Sequence, residues 1–313
     1  MIEVEHLTKR YGSHTAVDDI SFTVEDGGIY GLLGPNGAGK STTMNIITGY
    51  ISATDGTVKI DGHDIADEPA AAKACIGYLP ELPPLYMDMT VAEQLEFACE
   101  LRGLKLKKPQ LRDYIDSLCA RTQVLDTRDR LIRNLSKGYR QRVSVTQLLV
   151  GEPEILILDE PTVGLDPRQI REFRDLLSEL SHEHTIILSS HILSEISSVC
   201  KRILVFYEGM LIADGEPQSL QEQLAGHRVL EVEISGEEAG VSALLQGIPD
   251  VLAVKPVGNG VYQVAHRMGT DIRGALYRTL RPTGYELLMM KPQEVSLESL
   301  YLRITEHEQE MEA

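Results

Sequence analysis

Residues 34–42, Gly34-Pro35-Asn36-Gly37-Ala38-Gly39-Lys40-Ser41-Thr42, match the pattern G-x-x-x-x-G-K-[ST] at every fixed position. The apolar run Ile29-Tyr30-Gly31-Leu32-Leu33 precedes them and Thr43-Met44-Asn45-Ile46-Ile47 follows. The spacing therefore predicts a strand, a loop and a helix in that order, which is the context this pattern requires. Glycines lack a Cβ, so several backbone N–H groups can turn into one concavity of a size that suits a polyphosphate. The helix that follows adds the positive end of its dipole. Lys40 is placed to reach the β- and γ-phosphates, and the Ser41 hydroxyl to ligate Mg²⁺. Nucleotide binding is the reading against which the remaining sequence can be tested.

A chain of 313 residues with 42% hydrophobic content can bury one large domain, or a large and a small one. The formal net charge of −17 argues against nucleic acid as the main partner, since such proteins present a basic face. Cys75, Cys99, Cys119 and Cys200 show no C-x-x-C spacing and read as buried free thiols of a reducing compartment. His182 and His184 flank Glu183 with no further Cys or His nearby in sequence, too few donors to predict a metal site. The first residues carry no signal-peptide pattern, and no apolar stretch approaches about 18 residues, so the expectation is a cytosolic chain whose spanning segments, if it works at a membrane, belong to another polypeptide.

Strand-like alternation fills residues 1–28, and Thr54-Asp55-Gly56-Thr57-Val58-Lys59-Ile60-Asp61-Gly62 reads as one more strand between tight turns, together a small antiparallel sheet. A helical stretch occupies about 85–150. Its first helix opens at the capping box Thr90-Val91-Ala92-Glu93, the second near Pro109, and the third at Ser136 as N-cap. The core resumes with Ile155-Leu156-Ile157-Leu158, apolar at every position as in a strand buried on both faces, and ends in Asp159-Glu160. Thr185-Ile186-Ile187-Leu188 ends likewise in Ser189-Ser190-His191. Loop, carboxylates and histidine then meet at the carboxyl edge of one parallel sheet, where ligands sit in open α/β folds. Residues 202–214 read as a hairpin, and beyond about 226 the order βαββαβα predicts a small ferredoxin-like α+β domain, its last helix carrying Leu297, Leu300, Tyr301 and Ile304 before an acidic tail.

With these elements in place the chain resembles an ATP-binding-cassette (ABC) ATPase over about its first 215 residues. In that family's order stand Tyr11 before the phosphate loop, Glu81 at the Q-loop position, a signature at Leu135-Ser136-Lys137-Gly138-Tyr139, a Walker B strand ending at Asp159 with Glu160 after it, a D-loop at Gly164-Leu165-Asp166-Pro167, and His191 at the switch position. The resemblance implies an α/β phosphate-loop core with a mainly parallel sheet, an antiparallel β subdomain and an inserted helical subdomain within residues 1–217; the C-terminal α+β domain at 226–313 lies outside it and rests on the strand and helix pattern. It implies ATP held by Tyr11, Gly34, Asn36, Gly37, Ala38, Gly39, Lys40, Ser41 and Thr42; Mg²⁺ by Ser41, Asp159 and Glu81; Glu160 as general base and His191 as γ-phosphate sensor. It also implies a head-to-tail homodimer in which Ser136 and Gly138 of one copy cover the nucleotide of the other, with Asp166 at the interface. Each role has a plainer competitor: Glu160 as a cap or ion-pair partner, His191 as a core histidine, Tyr11 as a packing residue, Asp166 as an Asx-turn. Two spellings depart from the family. Glu81 stands where Gln is usual and adds negative charge near the γ-phosphate, and Lys137 and Tyr139 replace the first Gly and final Gln of the signature.

With one cassette without spanning helices, the spellings Tyr78-Leu79-Pro80-Glu81 and Leu135-Ser136-Lys137-Gly138-Tyr139, and a small C-terminal domain, the chain is most similar to ATPase subunits of ABC-2-type exporters, including those of gliding motility and multidrug export. That similarity implies ATP hydrolysis that drives a separate transmembrane permease from a cytoplasmic position on the inner face of the membrane, with no nucleic acid partner. The alternatives are a soluble ABC ATPase acting on ribosomes or DNA, or a regulatory ATPase governed by its C-terminal domain.

Overall fold

A computed structural model describes residues 1–220, 227–267 and 269–293. The chain divides into two compact units, Met1–Gly215 and the segment from Glu216 onward.

In the first unit β1 (Ile2–Tyr11), β2 (His14–Val24), β4 (Asp55–Ile60) and β5 (His63–Asp64) form a four-stranded antiparallel sheet in the order β2-β1-β4-β5. A six-stranded sheet takes β3 (Gly28–Leu33), β6 (Ile76–Leu79), β7 (Ile155–Leu158), β8 (Thr185–Ser190), β9 (Arg202–Tyr207) and β10 (Met210–Gly215) in the order β10-β9-β3-β8-β7-β6. All its pairings are parallel except the β9–β10 hairpin. Every residue of β7 and β8 is buried, as the unbroken apolar runs require of strands covered on both faces. The two sheets share one core: Ile2, Val4 and Phe22 of the antiparallel sheet pack with Leu32, Ile157 and Phe206 of the parallel one and with Met44 and Ile47 of α1 (Lys40–Ile47). Phe22 meets Phe206 edge to face at 6.4 Å.

Between α2 (Pro69–Ala74), which leads into β6, and β7 lie α3 (Val91–Leu101), α4 (Lys108–Arg121) and α5 (Lys137–Leu148). The Thr90 box forms in both directions, Thr90 N–H donating to Glu93 Oε2 at 2.7 Å and Glu93 N–H to Thr90 Oγ1 at 3.2 Å. Ser136 caps α5 by accepting from Tyr139 N–H at 3.3 Å. After β7 come α6 (Pro167–Leu180) and, beyond β8, the short α7 (Leu193–Ser197).

The second unit contains β11 (His227–Ile234), α8 (Glu238–Gln246), β12 (Val251–Gly258), β13 (Val261–Arg267), α9 (Arg273–Leu280) and β14 (Leu287–Gln293). Its sheet order β12-β13-β11-β14, antiparallel throughout, is the split βαβ of the expected ferredoxin-like plan. The helix expected around Leu297–Ile304 and the acidic tail lie outside the described residues.

All four cysteines are free thiols. Cys99, Cys119 and Cys200 are buried as expected and Cys75 is only half-buried; burial pushes the thiols of Cys99 and Cys119 up to about 11, leaving them protonated and unreactive near neutrality. His184 is a core residue, its Nδ1 2.8 Å from Pro153 O and its Nε2 3.0 Å from an Arg121 guanidinium nitrogen, which accounts for it without a metal.

Candidate functional site

The phosphate loop leaves β3 at its carboxyl end and enters α1. Gly39 adopts φ +100°, and a Cβ there would stand 2.7 Å from Ala16 O, so both conformation and space demand glycine. At Gly34 the constraint is close approach alone, 2.5 Å from Phe206 O to an added Cβ. Asn36 and Gly37 form the exposed tip and Ala38 is buried. No side chain caps the first turn of α1, which leaves the N–H groups there free for an anion.

Lys40 is 5% exposed. Its Nζ donates to Gly34 O at 2.7 Å and Pro35 O at 3.1 Å and lies 3.5 Å from Glu160 Oε1. Burial lowers the pKa of this ammonium, and the neighbouring Glu160 and Asp159 carboxylates work against that shift. Ser41 Oγ donates to Asp159 Oδ1 at 3.1 Å. Glu160 follows with φ +46°, a left-handed conformation that costs a non-glycine residue about 1–3 kcal/mol. It is held there by its own N–H, which donates to Ser189 Oγ at 2.8 Å, while that hydroxyl donates to Asp159 Oδ1 at 2.6 Å. Glu160 Oε2 lies 2.9 Å from His191 Nδ1, and Oε1 is buried without a hydrogen-bond partner. Because a carboxylate accepts, the His191 proton sits on Nδ1, and the ring extends from a half-exposed position.

The structure thus brings Lys40, Ser41, Asp159, Glu160 and His191 together at the carboxyl ends of three adjacent strands, β3, β8 and β7. The hard oxygens of Ser41 and Asp159, one hydrogen bond apart, suit Mg²⁺, which takes one or two protein oxygens beside phosphates rather than an all-protein cage. Among the described residues no group of three or more His, Cys, Asp or Glu side chains is arranged so that it could hold a metal ion by itself. Glu81 is not brought into this cluster by any hydrogen bond: it is exposed in the loop after β6. Thr42 is half-buried in the first turn of α1, and Tyr11, half-exposed at the end of β1, has Lys9 Nζ 5.1 Å from its ring centroid.

Ser136 and Gly138 lie at the tip of α5, where Gly138 faces Gln169 in the first turn of α6. Asp166 caps α6, accepting from Arg168 N–H and Gln169 N–H at 2.9 Å each, so the plainer reading of this residue is present in the structure. Lys137 bends over the D-loop glycine, its Nζ standing where a Cβ on Gly164 would collide with it. Gly138 leaves room for Gln169, whose Cδ would be 3.1 Å from an added Cβ. A groove of about 620 Å³ opens here, lined among others by Ser136, Tyr139, Arg142 and Leu165.

Sequence reasoning missed Ser189, fully buried, which ties the Asp159 carboxylate to the Glu160 backbone. Its signal was the pair of hydroxyls directly before His191.

A family model described as ABC transporter matches residues 17–163. The linearmycin resistance ATP-binding protein LnrL of Bacillus subtilis is 32% identical over 97% of this chain and 98% of its own length. The bacitracin transport ATP-binding protein BcrA of Bacillus licheniformis is 32% identical over 97% of both. Among solved structures, cbiO1 from Clostridium perfringens, part of the ABC transporter complex cbiONQ, is 29% identical with a TM-score of 0.65 over 72% of this chain and 92% of that one. Full-length similarity to such proteins, on the nucleotide-binding fold just described, places this chain in the family of ABC transporter ATP-binding proteins, an ATPase family.

Proposed function

We propose that this chain is the ATP-hydrolysing subunit of an ABC-2-type exporter, peripheral on the inner face of the membrane and coupled to a separate transmembrane permease. The observation that carries the chemistry is the Lys40, Glu160 and His191 cluster beside Ser41 and Asp159. On this reading Glu160 removes a proton from a water as its oxygen attacks the γ-phosphorus; the bond to the bridging oxygen breaks, ADP leaves and the proton stays on the carboxylate. Lys40 and the loop N–H groups hold the β- and γ-phosphates, with Tyr11 against adenine. His191 fixes the Glu160 carboxylate through Nδ1–H. Ser41 and Asp159, with Glu81 when its loop moves in, would hold Mg²⁺, which when bound neutralises phosphate charge. On this reading a second copy, placed head to tail, supplies Ser136 and Gly138 over the nucleotide, with Asp166 nearby.

The relatives' names point to export: linearmycin resistance, bacitracin transport and, in a 36% identical protein of Ralstonia nicotianae, Nod factor export. No helix among the described residues is long and apolar enough to cross a membrane, so on this reading the spans come from a partner. A surface fit for that partner adjoins Glu81. Leu82 is 85% exposed and Leu101 72%, Tyr86 and Met87 are exposed as well, and a cavity of about 260 Å³ opens among Tyr78, Pro83, Pro84 and Leu101. A permease segment seated there would touch the loop that carries Glu81 and transmit closure of the dimer.

Affinity purification of the full chain from native membranes tests this. The expected co-purifying protein carries several apolar spans of about 20 residues, and it is lost from Leu82→Glu/Leu101→Glu while ATP hydrolysis by the purified variant persists. Recovery of ribosomes, or of no spanning protein, would contradict the transport reading.

A further inference from the structure

The β7–β8 ladder ends at the pair Leu158 and Leu188. Glu160 and His191 both lie beyond it; β8 stays paired to β3 through Ser190, the residue before His191, whereas Glu160 has no strand partner. Ser189 fastens the Asp159–Glu160 turn from inside. A second fastening lies on the far side. Glu195, in α7, is 7% exposed, and among the described residues it has no ion-pair partner. Its Oε2 accepts from Thr162 Oγ1 at 2.5 Å and from Ser190 Oγ at 3.2 Å. Ser190 Oγ also accepts from Ile192 N–H at 3.0 Å, so its orientation is set from both sides of His191. A carboxylate buried without a cation is costly, and here the two hydroxyls are what offset the cost.

We propose that Glu195 is a positioning residue for hydrolysis: its carboxylate clasps Thr162, two residues after Glu160, to Ser190, one residue before His191, and so holds the base and the histidine in register. Thr162 also anchors the turn toward the D-loop, its carbonyl accepting from Leu165 N–H at 3.1 Å, so the clasp reaches the segment that carries Gly164 and Asp166. The inference rests on Glu160 being the base. It is separable from that reading: normal hydrolysis by Glu160→Gln would remove the base, whereas the clasp is tested by residues that touch neither nucleotide nor water.

In the full chain, Glu195→Ala is expected to lower kcat by about 10–100-fold, the scale of a misplaced reacting group, with affinity for a fluorescent ATP analogue kept within about twofold. Amide exchange across residues 160–166 should rise in the same variant without nucleotide. Glu195→Gln, whose amide oxygen can accept from both hydroxyls, should restore most of the rate. Thr162→Val should lower kcat, Thr162→Ser should not, and Thr162→Val/Glu195→Ala should be no worse than Glu195→Ala alone, because both break one clasp. Wild-type turnover in Glu195→Ala and Thr162→Val would overturn the proposal, as would failure of Glu195→Gln to improve on Glu195→Ala. If Glu195→Ala does not fold, Thr162→Val, which exchanges one hydroxyl for a methyl, decides by its kcat and its amide exchange.

Discussion

Glu160→Gln is expected to lower steady-state ATP hydrolysis by about 10²–10⁴-fold, the contribution of a general base, while leaving nucleotide bound and the dimer closed. The substitution is nearly isosteric, and the amide oxygen can still accept from His191 Nδ1–H, which lies 2.9 Å from Oε2 in the native site. What disappears is the capacity to take a proton from water. Oε1, buried without a hydrogen bond and 3.5 Å from Lys40 Nζ, is the atom with a free lone pair for that task. Phosphate release measures the rate, and gel filtration with labelled ATP measures retention. Near-normal phosphate release would remove Glu160 from the chemistry and return it to the plainer role of an ion-pair partner for Lys40.

Lys40→Ala is expected to lower turnover by about 10²–10³-fold, the cost of removing one preorganised donor from a developing charge, and to weaken ATP binding measurably. The ammonium is buried among Gly34 O, Pro35 O and Glu160, so its loss also leaves a buried carboxylate without its cation. Lys40→Arg should not rescue, because the pocket is closed around a compact ammonium and a planar fork has different geometry. Equilibrium binding of a fluorescent ATP analogue, with phosphate release, checks both statements; unchanged affinity and rate in Lys40→Ala would contradict them.

Much of this arrangement was legible in the chain itself. The phosphate loop, the apolar runs ending in Asp159-Glu160 and in His191, and the Thr90 and Ser136 caps depend on local pattern, and local pattern survives in a sequence. Why the strand ends converge was less accessible: β3, β8 and β7 are neighbours although a long stretch of chain separates the first from the others, and that order is a matter of long-range pairing. Side-chain fastenings were less visible still. Ser189 and Glu195 act across the sheet edge through single hydroxyl and carboxylate contacts, and nothing in a Ser-Ser-His run tells which hydroxyl reaches which strand. The left-handed turn at Glu160 belongs to the same class, since a glutamate carries no local preference for it. Glu81 shows the opposite limit: its position was readable by order along the chain, while its exposed loop gives it no hydrogen bond to Ser41 or Asp159.

The proposed mechanism stands or falls on sites built from two copies, the phosphate loop of one and the Ser136 tip of the other. Mixing two inactive variants probes this without any partner protein. Lys40→Ala disables the loop and Ser136→Glu the covering tip, so in a head-to-tail mixed dimer one site carries both defects and the other carries neither. Each variant alone is expected to be inactive, and an equimolar mixture to recover a substantial fraction of wild-type ATP hydrolysis. A mixture no more active than its components would rule out a shared site.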